Sequence, residues 1–231
     1  MPVWQLDKRI IFPDPELAEP DGLLAIGGDL SPERLILAYS SGIFPWFNFE
    51  NEIFWFSPDP RCVLIPDELK ISKSMKQLIR KQQFEMRLDE DFEGVIRNCA
   101  HIKRKDDAET WIDENFIEAY IAMHKKGFAH SAEAYYNGEL CGGLYGLSLG
   151  GLFFGESMFS KVSNASKFAL IHLTEWLQRK NFTMIDCQIY NDHLGSLGAK
   201  NISRNDFLLE LNTGLQMETL RGKWEYLSAL Q

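Results

Sequence analysis

The sequence predicts a mixed α/β protein of the α+β type, in which a largely antiparallel sheet packs against helices. Three consecutive patterns support this prediction: a β-hairpin, a second pair of strands, and a helix that leads into a further strand. They occupy residues 132–138, 142–157 and 164–190. Because strands follow one another directly before the helix, they favour antiparallel pairing over a regular strand-helix-strand alternation.

The strand predictions rest on turn residues between apolar segments. Residues 132–136 are followed by Asn137-Gly138, a dipeptide typical of the two-residue type I′ hairpin turn. Residues 142–148 and 152–157 flank Gly150-Gly151, which indicates a second turn between two strands.

The helix predictions rest on capping residues and apolar spacing. Ser31 is a suitable N-cap, Pro32 suits the first helical position, and Gly42 suits the position after the helix end. Three further helices are predicted from Ser72 to about Gln82, from Asp113 to near Gly127, and from Asn164 to Lys180.

The regularity of the chain changes near residue 65. Residues 1–65 are rich in Pro, Gly and Trp and contain one clear helix pattern, whereas residues 66–231 contain the remaining helix and strand patterns. We therefore predict a small N-terminal domain over 1–65 and a larger domain over 66–231.

Composition limits the classes of function. With 231 residues, of which 45% are hydrophobic, the chain is long enough for a substantial core, and it has no apolar run of transmembrane length and no secretory signal. We expect a cytosolic protein with no membrane association. Its net charge of −9 argues against broad nonspecific binding to nucleic acid. The scattered cysteines predict free thiols rather than a disulfide framework or a metal site, and they lie at Cys62, Cys99, Cys141 and Cys187.

One strand pattern carries polar residues among apolar ones. In residues 183–190, Thr-Met-Ile-Asp-Cys-Gln-Ile-Tyr, period-two alternation places Asp186 and Gln188 together on the face opposite Ile185. Residues two apart on a strand are roughly 7 Å apart at Cα, so the Asp186 carboxylate can accept a hydrogen bond from the Gln188 amide. A buried pair bonded only to backbone groups is the alternative interpretation.

A basic ridge is predicted on the helix that begins at Ser72. Helical spacing groups Lys73, Lys76 and Arg80 in one sector with Lys81 nearby, while the apolar residues of the helix face the other way. An ordinary solvated face is the simpler interpretation of such a pattern. In so acidic a chain, however, the segregation favours a surface that contacts phosphates.

Tryptophans and one glutamate give two further signals. Trp46 and Trp111 lie in segments with turn residues or beside a helix start, where a tryptophan can either stack on a base or fill the core. Glu156 is surrounded by Phe153, Phe154 and Met158, and a carboxylate there needs a partner, either an internal cation or a ligand.

Taken together, these segments resemble the bacterial leucyl/phenylalanyl-tRNA-protein transferase family. The resemblance extends from about Phe12 to Leu211 and rests on long motifs, among them GLLAIGGDLSPERLILAYSSGIFPWF, WFSPDPRCVL, HSAEAY, FFGESMFS, NASKFAL and IDCQIYNDHLGSLGA. It implies a C-terminal domain similar to the acetyltransferase fold.

The resemblance also implies an activity. Members transfer Leu or Phe, and less readily Met, from an aminoacyl-tRNA to the N-terminal Arg or Lys of a protein, which marks that protein for degradation. The aminoacyl ester is already activated, so the reaction needs no ATP site, and we expect no cofactor and no metal. We expect a monomer.

Residue roles follow from the matched motifs. Asp186 and Gln188 are the expected catalytic pair: once the Asp186 carboxylate fixes the amide, the Gln188 carbonyl oxygen can accept a hydrogen bond from the incoming amine and orient its lone pair. Proton abstraction by Gln188 is the alternative, which the very weak basicity of an amide disfavours. The resemblance implies that Trp46 and Trp111 hold the terminal adenosine of the tRNA. Tyr120 and Asn191 are the expected polar companions. An apolar pocket for the aminoacyl side chain is expected from Phe153, Met158, Leu170, Leu173, Leu177 and Ile185. Glu156 is expected to attract the basic acceptor, and the basic ridge to contact tRNA phosphates.

Two other classes of protein fit parts of the pattern. An acyl-CoA-dependent acetyltransferase has the same fold, but Lys161-Val162-Ser163 does not match the glycine-rich loop that such enzymes place before a helix. A non-catalytic RNA-binding module would use the basic ridge and the tryptophans, but it leaves Asp186, Gln188 and Glu156 unexplained.

Overall fold

Strands and helices are numbered in chain order. The computed structural model describes residues 3–50, 52–101 and 112–226. The strands are β1 Trp4–Leu6, β2 Leu23–Gly27, β3 Phe44–Phe49, β4 Glu52–Phe56, β5 Arg61–Leu64, β6 Glu85–Leu88, β7 Ala129–Tyr136, β8 Glu139–Leu149, β9 Leu152–Ser160, β10 Met184–Gln188 and β11 Lys200–Ile202. The helices are α1 Pro32–Ser40, α2 Lys73–Arg80, α3 Phe92–His101, α4 Glu114–Lys125, α5 Ala165–Arg179, α6 Asp192–Gly195 and α7 Arg204–Gly214.

The strands form two sheets. Within the described ranges, one sheet has four strands in the order β1-β2-β4-β3, and the other has seven in the order β11-β5-β10-β9-β8-β7-β6. The pairs β1/β2 and β9/β10 are parallel, and the remaining pairs are antiparallel. The prediction of a mixed α/β fold with a largely antiparallel sheet is therefore confirmed.

Local signals placed several elements correctly. Ser72 caps α2 by accepting the Met75 N–H at 3.2 Å, and Asp113 caps α4 by accepting the Phe116 N–H at 2.9 Å. At the turn between β7 and β8, Asn137 and Gly138 have φ values of 51° and 81°, as a type I′ turn requires. The predicted helices and hairpin are confirmed. Elements additional to the predicted ones include β6 and α3.

The core lies on both sides of the seven-stranded sheet. On one side, Leu24 and Trp55 of the four-stranded sheet belong to the same buried cluster as Tyr145 and Phe154 of the larger sheet. On the other side, α5 covers a second cluster that includes Phe153. The domain boundary near residue 65 stays a prediction, and β5, which precedes it, pairs with β10 and β11.

The parallel pair β9/β10 diverges along its length. The two strands are paired from Leu152 and Met184 as far as Phe154 and Asp186, and their pairing ends there. Beyond this point each strand contains a register irregularity with its other neighbour. The divergence leaves a gap in the sheet, which forms the candidate site.

The described helices include none with the length and apolar character needed to cross a membrane.

Candidate active site

The gap between β9 and β10 is a cavity of about 360 Å³. Its lining combines an apolar wall with a polar one. The lining residues are Trp46, Leu144, Gly155, Glu156, Ser157, Met158, Leu170, Ile185, Cys187, Gln188, Ile189, Asn191 and Leu194. A cavity that is mostly apolar with a few convergent polar groups is typical of a small-molecule site.

A bulge in β9 directs Glu156 toward the helices. Gly155 pairs with Gly146 and Ser157 pairs with Tyr145, so Glu156 is an extra residue with no partner on β8. An extra residue of this kind changes the direction of a side chain relative to regular alternation. As a result Glu156 both lines the cavity and reaches the buried hydroxyl groups of Tyr39 on α1 and Tyr120 on α4.

Three donors hold the Glu156 carboxylate. Tyr39 donates its hydroxyl to Oε1 at 2.7 Å, and Tyr120 donates to Oε2 at 2.9 Å. The Gln188 side-chain Nε2 donates to Oε1 at 2.9 Å. The two tyrosine hydroxyl groups are also in contact with each other, and since each has a single hydrogen, a hydrogen bond between them takes the place of one of the two bonds to Glu156. Because the Gln188 amide nitrogen is bonded to Glu156, the amide carbonyl oxygen is directed to accept a hydrogen bond from a ligand in the cavity.

Burial changes the acidity of this group. It raises the pKa of Glu156 to about 7, against the opposing effect of the tyrosine and Gln188 hydrogen bonds, and the Asp186 charge raises it further. Burial also raises the pKa values of Tyr39 and Tyr120 well above the ordinary value, so both remain hydrogen-bond donors. At neutral pH the Glu156 carboxyl group is therefore divided between its protonated and ionised forms.

The raised pKa predicts a pH-dependent stability. A carboxyl group whose pKa is about 7 when folded and 4.5 when unfolded binds its proton more tightly in the folded state. Its favourable contribution is complete below the unfolded value and is lost as the pH rises through the folded value. We expect the melting temperature of the wild type to decrease, relative to that of Glu156→Gln, as the pH rises from 4.5 to about 7. Scanning calorimetry across this range measures it.

A matched glutamate provides the control for this experiment. Glu139→Gln makes the same chemical change at an exposed position, and its melting temperature should follow that of the wild type across the range. A wild-type minus Glu156→Gln difference that stays constant with pH would contradict the raised pKa.

A second bulge, in β10, determines the conformation of Gln188. Asp186 pairs with Val63 and Gln188 pairs with Cys62, so Cys187 is the extra residue. Gln188 has a φ of 62°, in the left-handed region that non-glycine residues seldom adopt. The Asp186 carboxylate stabilises this conformation, because its Oδ1 accepts the Gln188 backbone N–H at 2.9 Å.

Asp186 is paired with a buried arginine. Arg61 on β5 donates Nε to Oδ1 at 2.8 Å and Nη2 to Oδ2 at 2.7 Å, and both side chains are buried. The Arg61 guanidinium lies over the rings of Phe44 and Phe207, at 4.7 and 4.5 Å from their centroids. Asp186 is therefore closed off from the cavity, and it is not among the lining residues.

The predicted hydrogen bond from the Gln188 side chain to the Asp186 carboxylate is wrong. The bulge at Cys187 interrupts the alternation on which that prediction depended, so the two side chains do not share a face. The guanidinium of Arg61 occupies the Asp186 carboxylate as a bidentate partner, and Gln188 donates instead to Glu156. Asp186 thus contacts Gln188 through the backbone.

The other predicted residues divide into two groups. Trp46, Met158, Leu170, Ile185 and Asn191 line the cavity with Glu156 and Gln188. Four corrections apply to residues that do not: Tyr120 is fully buried and bonds to Glu156, and Phe153, Leu173 and Leu177 lie in the core. Leu173 and Leu177 follow Leu170 by about one and two turns of α5, which displaces them along the helix axis from the residue that lines the cavity. Trp111 lies outside the described residues.

Sequence reasoning missed several residues of the site. Arg61 and Tyr39 have no local pattern that marks them, because each meets its partner only through tertiary contacts. Leu144 on β8 lines the cavity, and alternation within the predicted strand was a signal that could have identified it.

The basic ridge of α2 is exposed. Lys73, Lys76, Arg80 and Lys81 are accessible to solvent, whereas Met75 on the opposite face is buried. None of the four basic residues forms an ion pair with any other residue in the described part of the chain. The ridge therefore presents uncompensated positive charge, although a role in phosphate binding stays a prediction.

Comparison with known proteins gives consistent matches over most of the chain. The family model described as leucyl/phenylalanyl-tRNA protein transferase matches residues 63–212, and the model of that protein's N-terminal domain matches residues 28–59. Proteins named leucyl/phenylalanyl-tRNA-protein transferase from Anaeromyxobacter sp. (strain Fw109-5) and Syntrophus aciditrophicus (strain SB) are 50% and 52% identical to the chain. The matches cover 97% of the chain in both cases, and 96% and 94% of those proteins.

A solved structure of L-PGS from Bacillus licheniformis overlaps more weakly, with a TM-score of 0.40 and 13% identity over 73% of the chain and 54% of that structure.

Proposed function

The chain belongs to the leucyl/phenylalanyl-tRNA protein transferase family, and from this premise we propose that it joins an aminoacyl group from tRNA to a protein N-terminus in the cavity between β9 and β10. Its partners are then an aminoacyl-tRNA and an acceptor protein. One observation carries the proposal: Glu156 holds the Gln188 amide at the cavity wall through the amide nitrogen. This contact does not use the amide carbonyl oxygen of Gln188.

The apolar wall suits the side chain of the transferred residue. Met158, Leu170 and Ile185 line the cavity together with Leu144, and they offer a surface for an apolar side chain without β-branching, such as that of Leu or Phe. A methyl difference in such a pocket is worth about 1–3 kcal/mol, so discrimination against β-branched residues depends on shape. Trp46, at the same cavity, is proposed to stack on the terminal adenine of the tRNA.

The reaction needs positioning more than strong base catalysis. A peptide α-amine has a pKa of roughly 7.7–8.0, so about a tenth of it is neutral near pH 7. The amine nitrogen attacks the ester carbonyl carbon, the C–N bond forms, and the ester C–O bond breaks. The amine loses a proton and the departing ribose oxygen gains one, so no net proton is required. In this proposal the Gln188 carbonyl oxygen accepts a hydrogen bond from the amine, and this bond orients the lone pair of the amine nitrogen.

Glu156 has two roles in the proposal. It orients the Gln188 amide directly, which is the role that the sequence predicted for Asp186. Its charge also favours a cationic acceptor, which supports the proposal that N-terminal Arg or Lys is preferred. Because its pKa is about 7, this attraction should strengthen as the pH rises through neutrality. A monomeric state and a cytoplasmic location remain part of the proposal.

The start of α5 argues against an acyl-CoA-dependent acetyltransferase. Such an enzyme binds the cofactor pyrophosphate with free backbone N–H groups at a helix N-terminus. Here the Ala165 N–H is bonded to the Val162 carbonyl at 3.0 Å, and the Ser166 N–H is bonded to the Ser160 hydroxyl at 3.3 Å. A non-catalytic RNA-binding module, in turn, has no need for the buried contacts that orient Gln188.

A direct transfer assay tests the proposed function. The protein is incubated with leucyl-tRNA and a peptide that begins with Arg, and the product is identified by mass. We expect a leucylated peptide, and we expect none when the peptide N-terminus is acetylated, because the attacking amine is then blocked. Failure to form product from the unblocked peptide would reject the proposal.

The basic ridge gives a separate prediction for tRNA binding. Changing Lys73, Lys76 and Arg80 to Glu should weaken binding strongly and flatten its salt dependence, since each phosphate contact contributes about 0.7–0.9 to the slope of log K against log salt. Transfer from an aminoacyl-adenosine, which lacks the stem, should be unchanged. The charge reversals Lys125→Glu and Lys126→Glu, at exposed positions on α4 and just after it, are the control. An unchanged salt slope in the ridge variant would contradict phosphate contact.

A further inference from the structure

Two cysteines oppose each other across β5 and β10. In the β10 bulge two residues stand opposite one: Cys62 is paired with Gln188, and Cys187 is the extra residue beside that pair. Both cysteines also lie on the same side of the sheet: Cys62 belongs to the buried cluster beneath α5, and Cys187 packs against that cluster. Val63, the next residue on β5, belongs to the cluster on the opposite side. The two thiols are therefore cross-strand neighbours.

This arrangement is compatible with disulfide geometry. Directly paired residues on antiparallel strands have Cα atoms roughly 4.5–5.5 Å apart, and Cys187 adjoins Gln188, the residue that pairs with Cys62. Disulfides join residues whose Cα atoms are about 4.4–6.8 Å apart. The Cys187 thiol donates to the Ile185 carbonyl oxygen at 3.8 Å, and its proximity to Cys62 lowers the pKa of Cys62. In the structure both thiols are free.

Access to the pair is through the candidate active site. Cys187 lines the cavity and is partly exposed, whereas Cys62 is completely buried. Cys99 and Cys141 are also buried and belong to neither wall of the cavity. A small thiol-reactive molecule can therefore approach Cys187 first, with Cys62 directly behind it.

We propose that Cys62 and Cys187 form a reversible dithiol-disulfide pair, which small-molecule disulfides such as oxidised glutathione oxidise and which switches off the adjacent site. The disulfide itself does not depend on the proposed function. The loss of aminoacyl transfer rests on it.

The chemistry proceeds by two thiol-disulfide exchanges. The Cys187 thiolate attacks one sulfur of the small disulfide, a bond forms between Cys187 and that sulfur, and one small thiolate leaves. The Cys62 thiolate then attacks the Cys187 sulfur, the Cys62–Cys187 bond forms, and the second small thiolate leaves. The protein loses two protons and two electrons, and the small disulfide is reduced to two thiols. The pKa of Cys187 is raised well above its ordinary value by its contact with Cys62 and by burial, so the first exchange is slow at neutral pH and becomes faster as the pH rises. The lowered pKa of Cys62 favours the second exchange.

The consequence for the site follows from the position of Cys187. It lies between Asp186, which holds the Gln188 backbone, and Gln188, whose amide meets Glu156. A covalent bond from Cys187 to β5 constrains the bulge that sets the Gln188 conformation. A displacement of about 1 Å at a reacting group can lower a rate by about 100-fold. Oxidation should therefore reduce transfer.

The test oxidises the wild-type protein with oxidised glutathione and maps its disulfides by mass spectrometry without reduction. We expect a Cys62–Cys187 linkage, a loss of leucyl transfer of at least about tenfold, and recovery of activity with dithiothreitol. The variants Cys62→Ala and Cys62→Ser should instead accumulate a mixed disulfide between Cys187 and glutathione. Cys141→Ser is the matched control, and it should still form the Cys62–Cys187 linkage.

Several outcomes would overturn the proposal. A wild-type protein that stops at the Cys187 mixed disulfide, or that stays reduced at both positions, would show that the pair does not close. A Cys62–Cys187 linkage with full transfer activity would show that it does not control the site. If the reduced protein forms the linkage normally but never transfers leucine, the proposed function fails while the disulfide pair stands.

Discussion

Replacing Arg61 by leucine is expected to destabilise the folded protein by about 3–5 kcal/mol. The substitution removes both hydrogen bonds to the Asp186 carboxylate and leaves this buried charge without its cationic partner. It also removes the contacts of the guanidinium with Phe44 and Phe207. Urea denaturation, followed by circular dichroism, measures the difference in unfolding free energy.

Two controls separate charge from packing. The double variant Arg61→Leu/Asp186→Leu removes the unpaired carboxylate, so it should recover part of the lost stability. Lys200→Leu disrupts an exposed ion pair with Glu68, and it should change stability by no more than about 1 kcal/mol. A double variant as unstable as Arg61→Leu would mean that the aromatic contacts of Arg61, rather than the ion pair, dominate its contribution.

The second large effect is expected at Gln188. Gln188→Ala should lower kcat for leucyl transfer by roughly 100-fold, because the amine then lacks the group that orients it. Binding of the aminoacyl-tRNA should be nearly unchanged, since the apolar wall and the basic ridge are intact. Single-turnover kinetics together with equilibrium tRNA binding measure the two quantities separately. Equal losses in both would indicate that Gln188 supports the cavity rather than the reaction.

Gln188→Glu distinguishes positioning from general-base catalysis. The new carboxyl group lies beside Glu156, and repulsion between the two should raise the pKa of one of them. If Gln188 acts by positioning, the variant stays impaired at every pH, because a carboxylate cannot donate to Glu156 as the amide does. Recovery of the single-turnover rate above the new pKa would contradict this account and favour a base at position 188.

Predictions from local sequence were accurate where the physical cause is local. Each of these signals depends on residues close together in the sequence: the caps at Ser72 and Asp113, and the turn at Asn137-Gly138. The exposed face of α2 likewise follows from helical spacing. These features depend on short-range hydrogen bonds and on the solvation of charged side chains, which the sequence specifies directly.

Predictions of side-chain partners were less accurate. Gln188 was expected to meet Asp186, two residues away, but it meets Glu156, 32 residues away, and Asp186 meets Arg61, 125 residues away. The reason is that single extra residues at Glu156 and Cys187 alter the strand register locally. Such irregularities depend on the neighbouring strands, so an alternation pattern read from one strand does not reveal them.

The fold class and the family follow from the sequence alone, as does the selection of Gln188 and Glu156, both of which line the candidate site. Long motifs and local capping or turn signals are sufficient for these conclusions, because each depends on residue types in a fixed order. Contacts between distant residues become visible only in the folded chain: Tyr39 and Tyr120 with Glu156, and Arg61 with Asp186. In a buried site the partner of a charged group is the best donor that packing brings within reach, and packing depends on the whole chain.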